Sequence, residues 1–195
     1  MTGGFAQHYG ALEYVDLDAP PSPDEFSPQE AAALAVIAAG VAAAGSLAQA
    51  LDVVFEGSLD ITPCDRLGLA LVEDDGRRSV SEWVRATYAP LLLGVGYAET
   101  LAGSSLAALL QGHRLRVIND LAEYQRTRPD SRSTRLLLQE GVRASLTAPL
   151  RDGDRTVGLF FRSARRPHAY TEHEVRLHLA MAIPLTEAMK RWKSI

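Results

Sequence analysis

Residues 31 to 51 carry no charge. A charge-free run of that length can cross a bilayer as a helix, so it decides first between a membrane segment and a packed one. Its content argues against a span. Eleven of the twenty-one residues are alanine, and Gly40, Gly45, Ser46 and Gln49 dilute the rest. The larger apolar side chains are Leu34, Ile37, Val41, Leu47, Leu51 and Val54, mostly three or four apart. That spacing draws one apolar stripe along a helix, with alanine elsewhere. No basic region opens the chain, so a secretory signal is not expected. The stripe reads as a helix that packs on a partner, with no membrane contact.

The flanking sequence sets this helix in an α+β order. Residues 1–26 read as an irregular arm, with Gly3-Gly4 and a Pro20-Pro21-Ser22-Pro23 run that removes backbone donors. Ser27-Pro28-Gln29-Glu30 is a capping box with proline at the first helical position. The helix it opens extends toward Phe55, with a break expected near Gly45-Ser46. From Leu67 the period changes to two, and Asp74-Asp75-Gly76 turns the chain into a second strand over Val80 to Tyr88. Ser104 or Ser105 caps a short helix through Leu110, stopped by Gly112. Leu115 to Ile118 is a short strand, and a helix from about Thr134 ends at Gly141. Val142 to Leu150 and Arg155 to Arg162 flank Asp152-Gly153, a hairpin signal. Thr171-Glu172-His173-Glu174 is a second capping box, opening a final helix that contains Pro184. Helix, hairpin, short helices, hairpin, helix implies an antiparallel sheet in one domain spanning 27–195.

Charge and cysteine content exclude several chemistries. The net charge is −4, yet no lysine or arginine precedes Arg66, while nine acidic residues lie between Glu13 and Asp60. Ten arginines then fall between Arg126 and Arg166. They are spread over several elements with few aromatics between them, which favours a solvated surface over nucleic-acid binding. Cys64 is the only cysteine, so an intramolecular disulfide and a multi-cysteine metal site are excluded. The expected location is the cytoplasm. His168, His173 and His178 are five residues apart, a step that turns about 140° on a helix. They read as surface histidines, and no metal site is expected. Asp74-Asp75 and Asp152 with Asp154 fall in turns, where aspartate serves the backbone. No phosphate-binding glycine loop and no nucleophile elbow occurs.

Four segments, taken in order, resemble the GAF domain, a small-molecule-sensing module of signalling proteins. They are Pro63-Cys64-Asp65-Arg66-Leu67-Gly68-Leu69-Ala70-Leu71-Val72, then Val117-Ile118-Asn119-Asp120-Leu121, then Glu140-Gly141-Val142-Arg143-Ala144-Ser145-Leu146-Thr147-Ala148-Pro149-Leu150, and last Val157-Gly158-Leu159-Phe160-Phe161 with Tyr170-Thr171-Glu172-His173-Glu174. The variant opening with Asp-Arg and carrying Asn-Asp-Leu is similar to input domains of bacterial sensor kinases and transcriptional activators. The resemblance implies a twisted antiparallel sheet, with long terminal helices on one face and short helices over a ligand pocket on the other.

The resemblance also implies a non-catalytic sensor that passes ligand state through its terminal helices to an output domain, a kinase, cyclase or transcription factor outside this chain. A competing reading is a dimerisation or protein-interaction module whose pocket is filled by side chains. Family members that reduce methionine sulfoxide need a second cysteine, which Cys64 lacks. Those that attach a bilin use a cysteine followed by histidine, and Cys64 is followed by Asp65. The cyclic-nucleotide signature Asn-Lys-Phe-Asp-Glu is absent. No cofactor is therefore expected, and Cys64 reads as a buried, unreactive residue.

The expected ligand is a small molecule with an anionic end. Ser104 and Ser105 would present helix amides to it, and Arg143 with Ser145 would share a strand face. Asn119 and Asp120 stand beside the pocket, and Tyr124 and Trp83 supply a wall. Arg143 could equally pair with Asp120 or Glu123, and the serines could serve only as caps. Leu34, Ile37, Val41 and Leu51, with Leu179, Leu185 and Met189, are more apolar surface than one sheet face is expected to cover, which predicts a homodimer through a helical bundle.

Overall fold

The structure, a computed structural model, describes residues 11–16, 19–111 and 114–193. Its described strands form one antiparallel sheet: β1 (Glu13–Asp16), β2 (Arg66–Glu73), β3 (Arg78–Ala86), β4 (Ala98–Thr100), β5 (Arg114–Ile118), β6 (Ala144–Asp152) and β7 (Arg155–Ala164). Their spatial order is β1-β5-β6-β7-β2-β3-β4. Both expected hairpins are present. Asp75 and Gly76 turn β2 into β3 with φ of 53° and 90°, and Gly153, at φ 58°, turns β6 into β7. The left-handed backbone at these turns explains the Asp-Gly pairs.

Alternation sends the two sets of side chains to opposite sides. Leu67, Leu69, Leu115, Val117, Leu146 and Phe160 face a layer made by α1 (Pro28–Ala43), α2 (Leu47–Ser58) and α5 (Glu172–Lys193). The helical stretch breaks at residues 44–46 as expected, and Ser46 caps α2 by accepting from the Gln49 amide. Gly158 sits where the sheet meets α5, and a Cβ there would lie 3.5 Å from Met189 Cε. On the other face lie a 3-10 turn (Ala107–Leu110), α3 (Leu121–Thr127) and α4 (Arg132–Gln139). The α4 helix ends in a Schellman motif, with Val142 N donating to Leu137 O and Gly141 N to Leu138 O, at a Gly141 φ of 85°.

Several expectations are corrected. The arm is not wholly irregular, because β1 pairs with β5 and closes that edge of the sheet. Asn119-Asp120 is followed by a helix, α3, too short for its apolar period to show in the sequence. The Ser104-Ser105 helix is a short 3-10 turn beginning at Ala107 with no side-chain cap. Its expected stop, Gly112, lies outside the described residues. Ile37, Val41, Leu51, Leu185 and Met189 are buried within the protomer, so they leave no spare apolar stripe for a second copy. His178 is not a surface residue; it is fully buried against the sheet. Among the described residues no helix is long and apolar enough to cross a membrane, and no cluster of potential metal ligands occurs.

Candidate functional site

A cavity of about 430 Å³ lies between the sheet and the short helices. Its floor consists of cross-strand rows. Ile118, Ser145, Ser163 and Arg66 form one row across β5, β6, β7 and β2, and Arg116, Thr147, Phe161 and Gly68 form the next. Ser79 and Ser81 continue the floor onto β3. The roof and walls come from residues 93–106, α3 and α4, including Ser104, Ser105, Leu121 and Tyr124.

Arg66 and Glu140 hold one wall. Glu140 is buried, 3.4 Å from Arg66 Nε. Its Oε1 accepts from the amides of Leu92 and Leu93 at 2.7 and 2.8 Å, and its Oε2 from the Tyr88 hydroxyl at 2.7 Å. Arg66 Nη2 donates to Leu93 O at 2.6 Å. Both Glu140 oxygens and Arg66 Nη2 are hydrogen-bonded and the two charges lie against each other, while Arg66 Nε meets the carboxylate at ion-pair distance without a hydrogen bond. Burial raises the Tyr88 pKa, and the Glu140 carboxylate raises it further, so this phenol stays a donor. The pair pins residues 88–93, which a sequence rich in Leu and Gly does not place.

Arg116 occupies the opposite end and is arranged differently. It is 8% exposed. Nη1 donates to Ser105 Oγ at 2.8 Å and Nη2 to Thr147 Oγ1 at 3.0 Å. Nε is buried without a partner, and no carboxylate among the described residues reaches ion-pair distance. Burial pulls its pKa down from the usual arginine value. Ser105 is the hub beside it, since its Oγ also accepts from Tyr124 at 2.8 Å and its carbonyl from Tyr14 at 2.7 Å.

The eight residues expected at the site divide evenly. Ser104, Ser105, Tyr124 and Ser145 line the cavity. Trp83, Asn119, Asp120 and Arg143 do not. Trp83 packs on the helix side, because β3 carries a bulge: Trp83 pairs with Leu69 and Ser81 with Ala70, leaving Glu82 as the extra residue. Asn119 clamps the segment before α5, donating to Tyr170 O and accepting from Tyr170 N. Asp120 caps α3 through the amides of Ala122 and Glu123. Burial opposes its charge, but those amides and Arg143 hold its carboxyl below the usual range. Arg143 pairs with Asp120 at 3.6 Å. Cys64 packs in the helix-side core and does not line the cavity.

Sequence reasoning missed Arg66, Arg116, Ser79, Ser81 and Ser163. The signal for two of them was available. Leu115 and Val117 face the helices, so Arg116 between them must face the other way, as Ser163 must between Arg162 and Ala164.

Comparison with known proteins agrees with this architecture. The GAF domain of an Acinetobacter phosphoenolpyruvate-protein phosphotransferase superposes with a TM-score of 0.69 at 14% identity, covering 87% of this chain and 98% of that one. The corresponding domain from Coxiella burnetii gives 0.66 at 16%, covering 86% and 98%. A phycoerythrobilin-bound GAF domain from a cyanobacterial phytochrome gives 0.61 at 16%, covering 85% and 97%. At these identities the likeness is one of fold. No curated protein matches the sequence. The family model for the GAF domain matches residues 44–189, a span that contains the floor, the roof and most of α5, and the chain therefore belongs to the GAF family of sensory and regulatory domains.

Proposed function

We propose that this chain is a ligand-sensing input domain of a bacterial signalling protein, without catalysis of its own. The observation that carries the reading is the cavity of about 430 Å³ above the sheet. A module serving only to dimerise or dock would fill that space with side chains, whereas small-molecule sites are preformed concavities with a few convergent polar groups. The described lining offers hydroxyls and guanidinium groups and includes neither histidine nor cysteine. Such a set suits holding a molecule. The chain acts in the cytoplasm, and α5 leads toward the output domain.

Pairing with a second copy completes the proposal. It uses the outer surface of α1 and α5, where Val36 is 70% and Ile183 41% exposed. Dimer mass that falls in a Val36→Glu, Ile183→Glu double variant would place the contact there, and unchanged mass would place it elsewhere.

The test of sensing is ligand capture. Mass spectrometry of the purified protein, released by denaturation, should find a small molecule absent from a Ser81→Phe variant, whose ring intrudes into the cavity from its floor. A thermal-shift screen of metabolites should likewise find compounds that stabilise the wild type and not this variant. No compound by either route, or equal responses in both proteins, would overturn the reading.

A further inference from the structure

We infer that the cavity takes a small organic monocarboxylate, with Arg116 as the residue that receives its charge. This rests on the ligand-sensing reading above and adds the chemistry of the ligand.

The argument is one of charge inside the cavity. Two arginines reach its buried part. Arg66 is neutralised by Glu140, whose own oxygens are all engaged. Arg116 meets only the hydroxyls of Ser105 and Thr147. Two other acids, Glu99 and Asp130, line the space, and neither forms an ion pair with it, although the Glu99 charge favours it from a distance. Glu99 accepts from Ser133 at 3.1 Å and stays out of ion-pair distance from Arg116, while Asp130 is exposed at the rim. The rim also holds Arg128, exposed and donating to Gly103 O. The deep end thus carries one positive charge with no carboxylate in contact, in a place where burying a charge is unfavourable without a close counter-charge.

The surrounding hydrogen bonds direct that charge at a bound group. Ser105 and Thr147 use one hydrogen from each Nη and leave the second hydrogen of each unused, while Nε is enclosed by the protein. A carboxylate matches such a planar fork in shape, and one negative charge matches it in number. A phosphate monoester, near −2 at neutral pH, would leave excess charge buried. Ser105 Oγ already accepts twice, from Arg116 and Tyr124, so its own hydrogen is free to donate to the same anion. Ser145 and Ser163 offer hydroxyls along the floor, and Ile118, Leu121 and Phe161 an apolar wall. The ligand's body therefore combines an apolar part with a hydroxyl or carbonyl.

The test compares matched acids and amides. Lactate, benzoate and 4-hydroxybenzoate are titrated against lactamide, benzamide and 4-hydroxybenzamide at constant ionic strength, with glycerol 3-phosphate as the dianion, by calorimetry and thermal shift. At least one acid should bind the wild type roughly 10- to 100-fold more tightly than its amide, the effect of a hydrogen bond to a charged group. Arg116→Gln should lose that margin and Arg116→Lys keep part of it. Should the glutamine variant not fold, the lysine variant and the acid-to-amide ratio decide. Amides or glycerol 3-phosphate binding as well as the acids, an acid response unchanged in Arg116→Gln, or no response to any acid would each overturn the inference. A neutral compound whose binding Ser81→Phe abolishes would overturn it while leaving the sensing reading intact.

Discussion

Arg162 and His178 form a second unusual polar group, on the opposite face of the sheet from the cavity. Arg162 is fully buried and donates to His178 Nδ1, Ser58 Oγ and Met181 Sδ. An Nδ1 that accepts leaves the proton on Nε2, which lies 3.1 Å from Phe160 O. Burial drives the His178 pKa well below its ordinary value, and the Arg162 charge lowers it further. The sign of the pH effect follows. Above the unfolded-state pKa near 6.5 neither state carries the proton, and below it the unfolded chain takes one up first. Stability is therefore complete above about pH 6.5 and should decline by roughly 1.4 kcal/mol per pH unit as pH falls toward the folded pKa. Urea denaturation between pH 5 and 8 checks this, and a His178→Gln variant should lose that slope. The burial was legible. His178 lies three residues after Val175 and four before Ala182, on the same apolar stripe, and Arg162 shares the parity of Phe160. Reading each residue by its polarity hid what its period stated.

At the level of elements, small irregularities decide which side chains meet. The bulge in β3 has one extra residue, Glu82, so deleting it restores an unbroken alternation with Trp83 and Ser81 on their present faces. Deletion of Glu82 should therefore fold with a near-native circular dichroism spectrum. Deletion of Gly68, in the interior strand β2, reverses every side chain beyond it and should abolish folding. Glycines in α1 and α2 act as contact points. A Cβ on Gly57 would stand 2.6 Å from Ile37 Cγ1, and one on Gly40 2.7 Å from Val53 Cγ1. Alanine usually stabilises a helix by about 1 kcal/mol over glycine. Here Gly57→Ala should destabilise instead, by roughly 1–3 kcal/mol, because the packed helices must separate. Thermal or urea denaturation gives the sign. The strands of both hairpins, α1 with its break, and α4 and α5 were legible because period, caps and turns agreed there. The strand β1 was not, since four residues after a glycine-rich arm carry too little pattern, and its pairing depends on the distant β5. Half of the residues expected at the site lie away from the cavity for a related reason. Neither a bulge nor an Asp120–Arg143 pair can be counted from spacing alone.

Across the whole molecule, α1 and α5 run side by side in the same direction and are fastened at both ends. Near their starts, His173 Nε2 lies 2.7 Å from Glu30 Oε1, and Arg176 pairs with Glu25 at 2.8 Å. The His173 contact holds the Glu30 carboxyl below its usual range. Near their ends, Arg191 donates to the carbonyls of Val41 and Ala42 in the last turn of α1, the former also accepting from Ala44 N. Between the fastenings, Ile37 and Val41 are buried. An Ile37→Glu, Val41→Glu double variant should lose its cooperative thermal transition, because it places two charges in the core of one protomer. A folded variant, well dispersed by NMR, would show that this layer is not what holds the sheet. Strand β7 joins that layer to the cavity. Phe161 and Ser163 look into the cavity, while Phe160 and Arg162 look toward α5, and all four share one run of backbone. The partition between the two compartments is thus a single peptide chain thick. A push on one side of such a wall has no intervening layer in which to dissipate, so the two compartments read the same displacement.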